Sequence, residues 1–143
     1  MGKEQQNSSN KNIVFLQYVY NAMIHHCMEQ KPFEACGLLS GTNNVACTHW
    51  PMTNVLRSPN EFQMDNNQIE FIFKRMKEKG EQLVGIYHSH PTTVPYPSPN
   101  DIIHANYPEA VYVIVSLSSH IKPEVACFHI QRGLVTTMKY SLQ

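Results

Sequence analysis

The 143 residues are enough for one domain with a buried core, and they leave little room for a second. Eleven Lys and Arg balance eleven Asp and Glu and are scattered along the chain, so nothing points to a nucleic-acid surface. No apolar run approaches the ~18 residues that cross a bilayer, which argues against a membrane span.

In chain order, residues 1–11 are polar, lack a hydrophobic signal segment and read as a disordered tail. Gln6 stands where a myristoylation site wants Ser or Thr, so lipidation is discounted. Leu16, Val19, Tyr20, Met23, Ile24, Cys27 and Met28 recur at helical spacing and predict a helix from about Ile13 to Glu29, ended by Lys31-Pro32. His25 and His26 lie beside that stripe and receive no role. Phe33 to Ser40 and Val45 to Trp50 read as a strand pair turned at Gly41-Thr-Asn-Asn44. Pro51 to Glu61 reads as an irregular loop. Asp65 caps a helix over about 66–79 that Gly80 closes. Leu83 to Tyr87 reads as a buried strand. A short helix is expected from Pro99 to Asn106, then strands over 110–117, 125–131 and 134–140, the last two turning at Arg132-Gly133.

Four cysteines, Cys27, Cys36, Cys47 and Cys127, form no C-x-x-C pair. The reading is a cytoplasmic protein with buried free thiols, although spacing would allow a Cys36–Cys47 bridge across the hairpin.

Chemistry concentrates in His88-Ser-His-Pro-Thr-Thr-Val-Pro-Tyr-Pro-Ser-Pro-Asn-Asp101. Side chains two apart on a strand share a face, so His88 and His90 can reach one metal ion. Pro91, Pro95, Pro97 and Pro99 stiffen the loop that returns the chain to Asp101. Two imidazoles and one carboxylate with a position left open make a catalytic zinc site. Each part also has a plain structural reading. Ser98-Pro99-Asn100-Asp101 is a good helix start, and histidines at strand ends are often only hydrogen-bonded. Glu34 alone reads as a solvated strand end. No H-E-x-x-H helix, P-C-x-x-C pair or G-x-S-x-G elbow supports another hydrolase class.

The spacing His88-Ser-His90-Pro91, a loop, then Ser98-x-x-Asp101 resembles the motif of the JAMM (MPN-plus) metalloproteases. The upstream block Pro32-Phe-Glu34-Ala-Cys36-Gly37-Leu-Leu-Ser-Gly41 resembles its remote partner. The resemblance runs from about Phe15 to Tyr140 and implies a single domain over 12–143. Its fold would be α/β, a mixed sheet between helices in the three-layer, cytidine-deaminase-like arrangement. It implies zinc (Zn2+) on His88, His90 and Asp101, Glu34 as general base and Ser98 as oxyanion donor. It also implies cleavage of an amide bond after the Gly-Gly tail of a ubiquitin-like or sulfur-carrier protein. The tract from Leu117 to Val125 is too short for a large inserted loop, which resembles the stand-alone prokaryotic members. Two alternatives stay open: a non-catalytic scaffold, and a metallohydrolase acting on unrelated small amides or peptides. His104, three residues beyond Asp101, is a candidate for orienting that carboxylate. The oligomeric state is left unassigned.

Overall fold

The computed structural model describes residues 12–143. The tail expected over 1–11 lies outside the described residues. Elements follow in the order β1 (Ile13–Phe15), α1 (Gln17–Glu29), β2 (Cys36–Thr42), β3 (Val45–Met52), α2 (Asn66–Glu78), β4 (Gln82–His90), α3 (Pro99–Ile103), β5 (Val111–Ser116), β6 (Glu124–Gln131), β7 (Leu134–Met138) and β8 (Tyr140–Leu142). The strands form one sheet in the order β7-β6-β5-β4-β2-β3-β1-β8. β4 pairs parallel with β5, and β1 pairs parallel with both β3 and β8. The other neighbours are antiparallel, so the sheet is mixed, as expected.

Both sheet faces are covered, which is why β4 and β5 are apolar on both sides. On one face, Val19, Met23 and Cys27 of α1 pack against Leu39, Tyr87, Val113 and Val115. On the other, Ile72 and Met76 of α2 pack against Leu38, Ile86, Tyr112 and Ile114, with Ile102 of α3 beside them. The result is the three-layer α/β arrangement that alternating strands in a doubly covered sheet require.

The sheet also curls. β7 pairs with β6 at one edge, and β8, beginning two residues after β7 ends, pairs with β1 at the other. Consecutive Cα atoms are only ~3.8 Å apart, so the two edges must approach each other at Lys139.

Several boundaries differ from the sequence expectation. Ile13 to Phe15 is a strand rather than the first helical turn. Its two buried side chains alternate with a half-buried one, and its partners, β3 and β8, lie far along the chain. α1 therefore starts at Gln17 behind Leu16, which offers no side-chain cap. β2 begins at Cys36, so Glu34 precedes the strand instead of opening it. β3 continues through Pro51 to Met52. The hairpin turns at Asn43 and Asn44, both at positive φ (53° and 63°), as a two-residue turn between twisted strands demands. β4 extends through the two histidines to His90, α3 stops at Ile103, and Lys139 breaks the last expected strand in two. Asp65 caps α2 by accepting from the Gln68 N–H, Gly80 closes it at φ 72°, and Arg132-Gly133 form the β6–β7 turn, all as expected. No helix among the described residues is long and apolar enough to cross a membrane. All four cysteines are free, and no Cys36–Cys47 bridge forms.

Candidate metal centre

β4 presents His88 and His90 on one face and Tyr87 and Ser89 on the other, as the strand pleat dictates. The histidines end the strand, next to the C-terminal end of its parallel neighbour β5, where His90 pairs with Ser116. The proline loop that follows is anchored at three points. His90 Nδ1 lies 2.8 Å from the Val94 carbonyl, the Ser116 hydroxyl donates to the Thr93 carbonyl, and the Leu117 N–H donates to the His90 carbonyl. The chain then turns into α3 through a capping box. Ser98 Oγ accepts from the Asp101 N–H at 3.0 Å, and Asp101 Oδ2 accepts from the Ser98 N–H at 2.9 Å. The same capping box that starts α3 aims the Asp101 carboxylate at the histidines, so the two readings of Ser98 and Asp101 are compatible.

Asp101 Oδ2 lies 3.1 Å from His88 Nε2 and 3.2 Å from His90 Nε2, and the two nitrogens are 3.1 Å apart. All three side chains are largely withdrawn from solvent. A carbonyl only accepts, so His90 Nδ1 must carry the proton it shares with Val94, and the lone pair of the neutral ring sits on Nε2. That lone pair then faces an ionised carboxylate oxygen and a second ring nitrogen. Buried acceptors turned on one another are costly unless a proton or a cation lies between them: a proton gives the hydrogen bonds to Asp101, and a metal ion takes its place. The edges of the triangle also suit a metal. With bonds of about 2.0–2.1 Å, a tetrahedral site has ligand atoms about 3.3 Å apart. The residues therefore fit a divalent ion on three protein ligands.

Burial favours the neutral His88 ring and lowers its pKa despite Asp101. His90 is also desolvated, but its hydrogen bonds to Asp101 and Val94 win and raise it. Burial alone would raise the Asp101 carboxyl, yet the two histidines and the Ser98 N–H hold it well below the usual carboxylate range. Phe62 stacks on His88 with centroids 4.7 Å apart and fixes its ring plane.

Glu34 is 3% exposed, and its Oε1 is the one buried side-chain oxygen or nitrogen among the described residues with no hydrogen-bond partner. Burial pushes its carboxyl up to about 8; His90 pulls it down, and Asp101 and Glu61 add to the rise. Register brings it to the centre. Cys36, two residues on, pairs with His88 across β2 and β4. Ser89, which received no role from the sequence, ties the two segments further: its Oγ accepts from the Ala35 N–H at 2.8 Å. Its place between His88 and His90 was the available signal.

The remaining histidines are elsewhere. His104 Nδ1 bonds the Asn100 carbonyl, a contact within its own helix end rather than with Asp101. His26 and His49, left without roles by the sequence, converge on Tyr87. Its hydroxyl is 2.6 Å from His26 Nδ1 and 2.7 Å from His49 Nε2, on the sheet face away from the metal centre. The fully buried Tyr87 ring covers Gly37, where any Cβ would strike it.

The chain is similar to several known proteins. The CysO-cysteine peptidase of Mycobacterium tuberculosis is 38% identical over 118 residues, covering 81% of each chain. The desampylase of Haloferax volcanii is 36% identical over 89 residues, covering 59% of this chain and 63% of that one. A solution structure of a protein from Desulfitobacterium hafniense matches with a TM-score of 0.84 at 31% identity, covering 92% of both chains. The model of the family Prok-JAB, prokaryotic homologs of the JAB domain, matches residues 16–130, and the chain belongs to that family.

Proposed function

We propose that residues 12–143 form a single zinc-dependent peptidase domain. It hydrolyses the amide bond after the Gly-Gly tail of a ubiquitin-like or sulfur-carrier protein. The observation that carries this reading is the convergence of two imidazole nitrogens and one carboxylate oxygen, all within 3.2 Å of one another, in a chain that also buries an unpartnered Glu34 oxygen. His88, His90 and Asp101 would hold the ion. Zinc bound there supplies Lewis acidity, which polarises a carbonyl and brings the pKa of a water to about 7.

The chain's own residues do the rest. Glu34 takes a proton at its carboxylate and delivers it to the departing amine, which leaves poorly unless protonated. A carboxyl raised by burial suits this exchange near neutrality, and a bound cation offsets part of the rise. Ser98 Oγ is occupied as an acceptor by the Asp101 N–H, which leaves its own O–H free to donate to a developing oxyanion. The proline loop and Phe62 hold the ligands rigid. The relatives named as peptidase and desampylase support the substrate class. Free thiols suit a reducing compartment, and we place the enzyme in the cytoplasm.

The test is cleavage of a ubiquitin-fold carrier ending Gly-Gly and extended by one cysteine, followed by mass spectrometry with zinc present. Loss of the cysteine by the parent protein, and none by Glu34→Gln, is expected. An inert parent protein that carries zinc overturns the substrate class.

A further inference from the structure

Residues 53–65 form neither helix nor strand, yet one side chain organises them. Asn54 is 7% exposed and uses its whole hydrogen-bonding capacity. Nδ2 donates to the carbonyls of Glu34 (3.0 Å) and Glu61 (3.1 Å), and Oδ1 accepts from the N–H groups of Leu56 (3.1 Å) and Gln63 (3.2 Å). Around it, the Val55 N–H donates to the Gln63 carbonyl at 2.9 Å and the Glu34 N–H donates to the Ser58 carbonyl at 2.8 Å. Both backbone polar groups of Glu34 are thus held by this loop. Beyond Glu34, the Ala35 N–H is held by Ser89.

The same loop faces the metal centre. Phe62 stacks on His88. Leu56, Phe62 and Met64 form one wall of a cavity of about 300 Å³ that reaches His88 and Asp101.

We propose that Asn54 is a positioning residue for the hydrolytic reaction. It fixes the Glu34 backbone, and with it the carboxylate, to the loop that walls the cavity beside the metal ligands. This rests on the reading of Glu34 as the proton carrier. The chemistry of the position admits few substitutes. It needs two N–H donors and one oxygen with two lone pairs in a fixed plane. Asp supplies the acceptor but no donor, and Ser supplies one donor of the two. Displacing a proton carrier by ~1 Å costs on the order of a hundredfold in rate.

The experiment uses the carrier ending Gly-Gly-Cys, the zinc-loaded enzyme, and Asn54→Asp made alone and with Glu34→Gln. Asn54→Asp keeps the acceptor for Leu56 and Gln63 and removes both donors. The expected result is kcat down roughly 10- to 100-fold, with KM within about twofold and zinc content unchanged. In the Glu34→Gln background the same change should alter the residual rate by less than about twofold, because the residue it acts through is gone. Parental kcat in Asn54→Asp, or the same fold-loss in both backgrounds, overturns the proposal. Parental rates in Glu34→Gln alone overturn the proton-carrier reading first, which keeps the two failures apart. Should Asn54→Asp not fold, amide exchange of the unsubstituted protein decides. The Glu34, Leu56 and Gln63 amides should share one protection level, and a Glu34 amide more than about tenfold away from the other two overturns the proposal.

Discussion

Ser89 and Ala35 are joined twice: the Ser89 Oγ accepts from the Ala35 N–H at 2.8 Å, and the Ser89 N–H donates to the Ala35 carbonyl at 3.0 Å. The first partner sits between His88 and His90 of the candidate metal centre, and the second adjoins Glu34. One residue pair thus sets the spacing between the two histidines and the Glu34 carboxylate. Ser89→Ala leaves the Ala35 N–H buried without a partner, which costs about 1–3 kcal/mol. A lowered Tm, with kcat falling more than zinc content, is the expected outcome in paired calorimetry and metal analysis.

Ser98 serves α3 as N-cap and, in the proposed reaction, the oxyanion as donor. Two substitutions separate these roles. Ser98→Ala should cost about 1 kcal/mol of stability and slow kcat by roughly 10²–10³-fold. Ser98→Gly should cost only a few tenths of a kcal/mol while slowing kcat as much. Comparing Tm with kcat for the two variants checks this; a Gly variant with full activity would confine Ser98 to capping.

Glu34 gives a pH signature in the zinc-free protein. Its carboxyl is raised by burial to about 8 when folded, against an ordinary value of 4.5. The folded state therefore holds a proton that the unfolded state releases, and stability falls as pH rises from about 4.5 through about 8. Glu34→Gln removes that loss. Zinc-free Glu34→Gln should be more stable than its parent at pH 9, by an order of a few kcal/mol, and equal to it near pH 4. Urea titrations at the two pH values measure the difference.

The Tyr87 cluster titrates the other way. Burial lowers His26, and lowers His49 to about 4. Their contribution is present above the unfolded value of about 6.5 and is lost as pH falls through 6.5 toward 4. Tyr87→Phe leaves two ring nitrogens without their shared hydroxyl and should destabilise the protein by about 1–3 kcal/mol. Thermal melts from pH 8 to pH 4 should show the acid loss in the parent.

The convergence of His88, His90 and Asp101 was legible in the sequence because the physics behind it is local. A two-residue strand period puts His88 and His90 on one face, and the capping box that places Asp101 spans four consecutive residues. Glu34 was legible only through resemblance to a family, because its approach to the histidines depends on the β2–β4 register. Asn54 looked like any polar loop residue, since its four partners are set by how the loop folds back. β1 was absorbed into the helical periodicity that begins at Leu16, and without β1 there was no partner to show that 134–140 must break at Lys139. His26 and His49 belong to α1 and β3, and only packing brings them to one hydroxyl on β4.

The central claim is that His88, His90 and Asp101 hold one catalytic zinc ion. Zinc per chain, measured on protein purified without chelator beside Asp101→Ala, tests it most directly. About one zinc in the parent and almost none in the variant is the predicted result. Equal zinc in both, or none in the parent after zinc is added back, would contradict it.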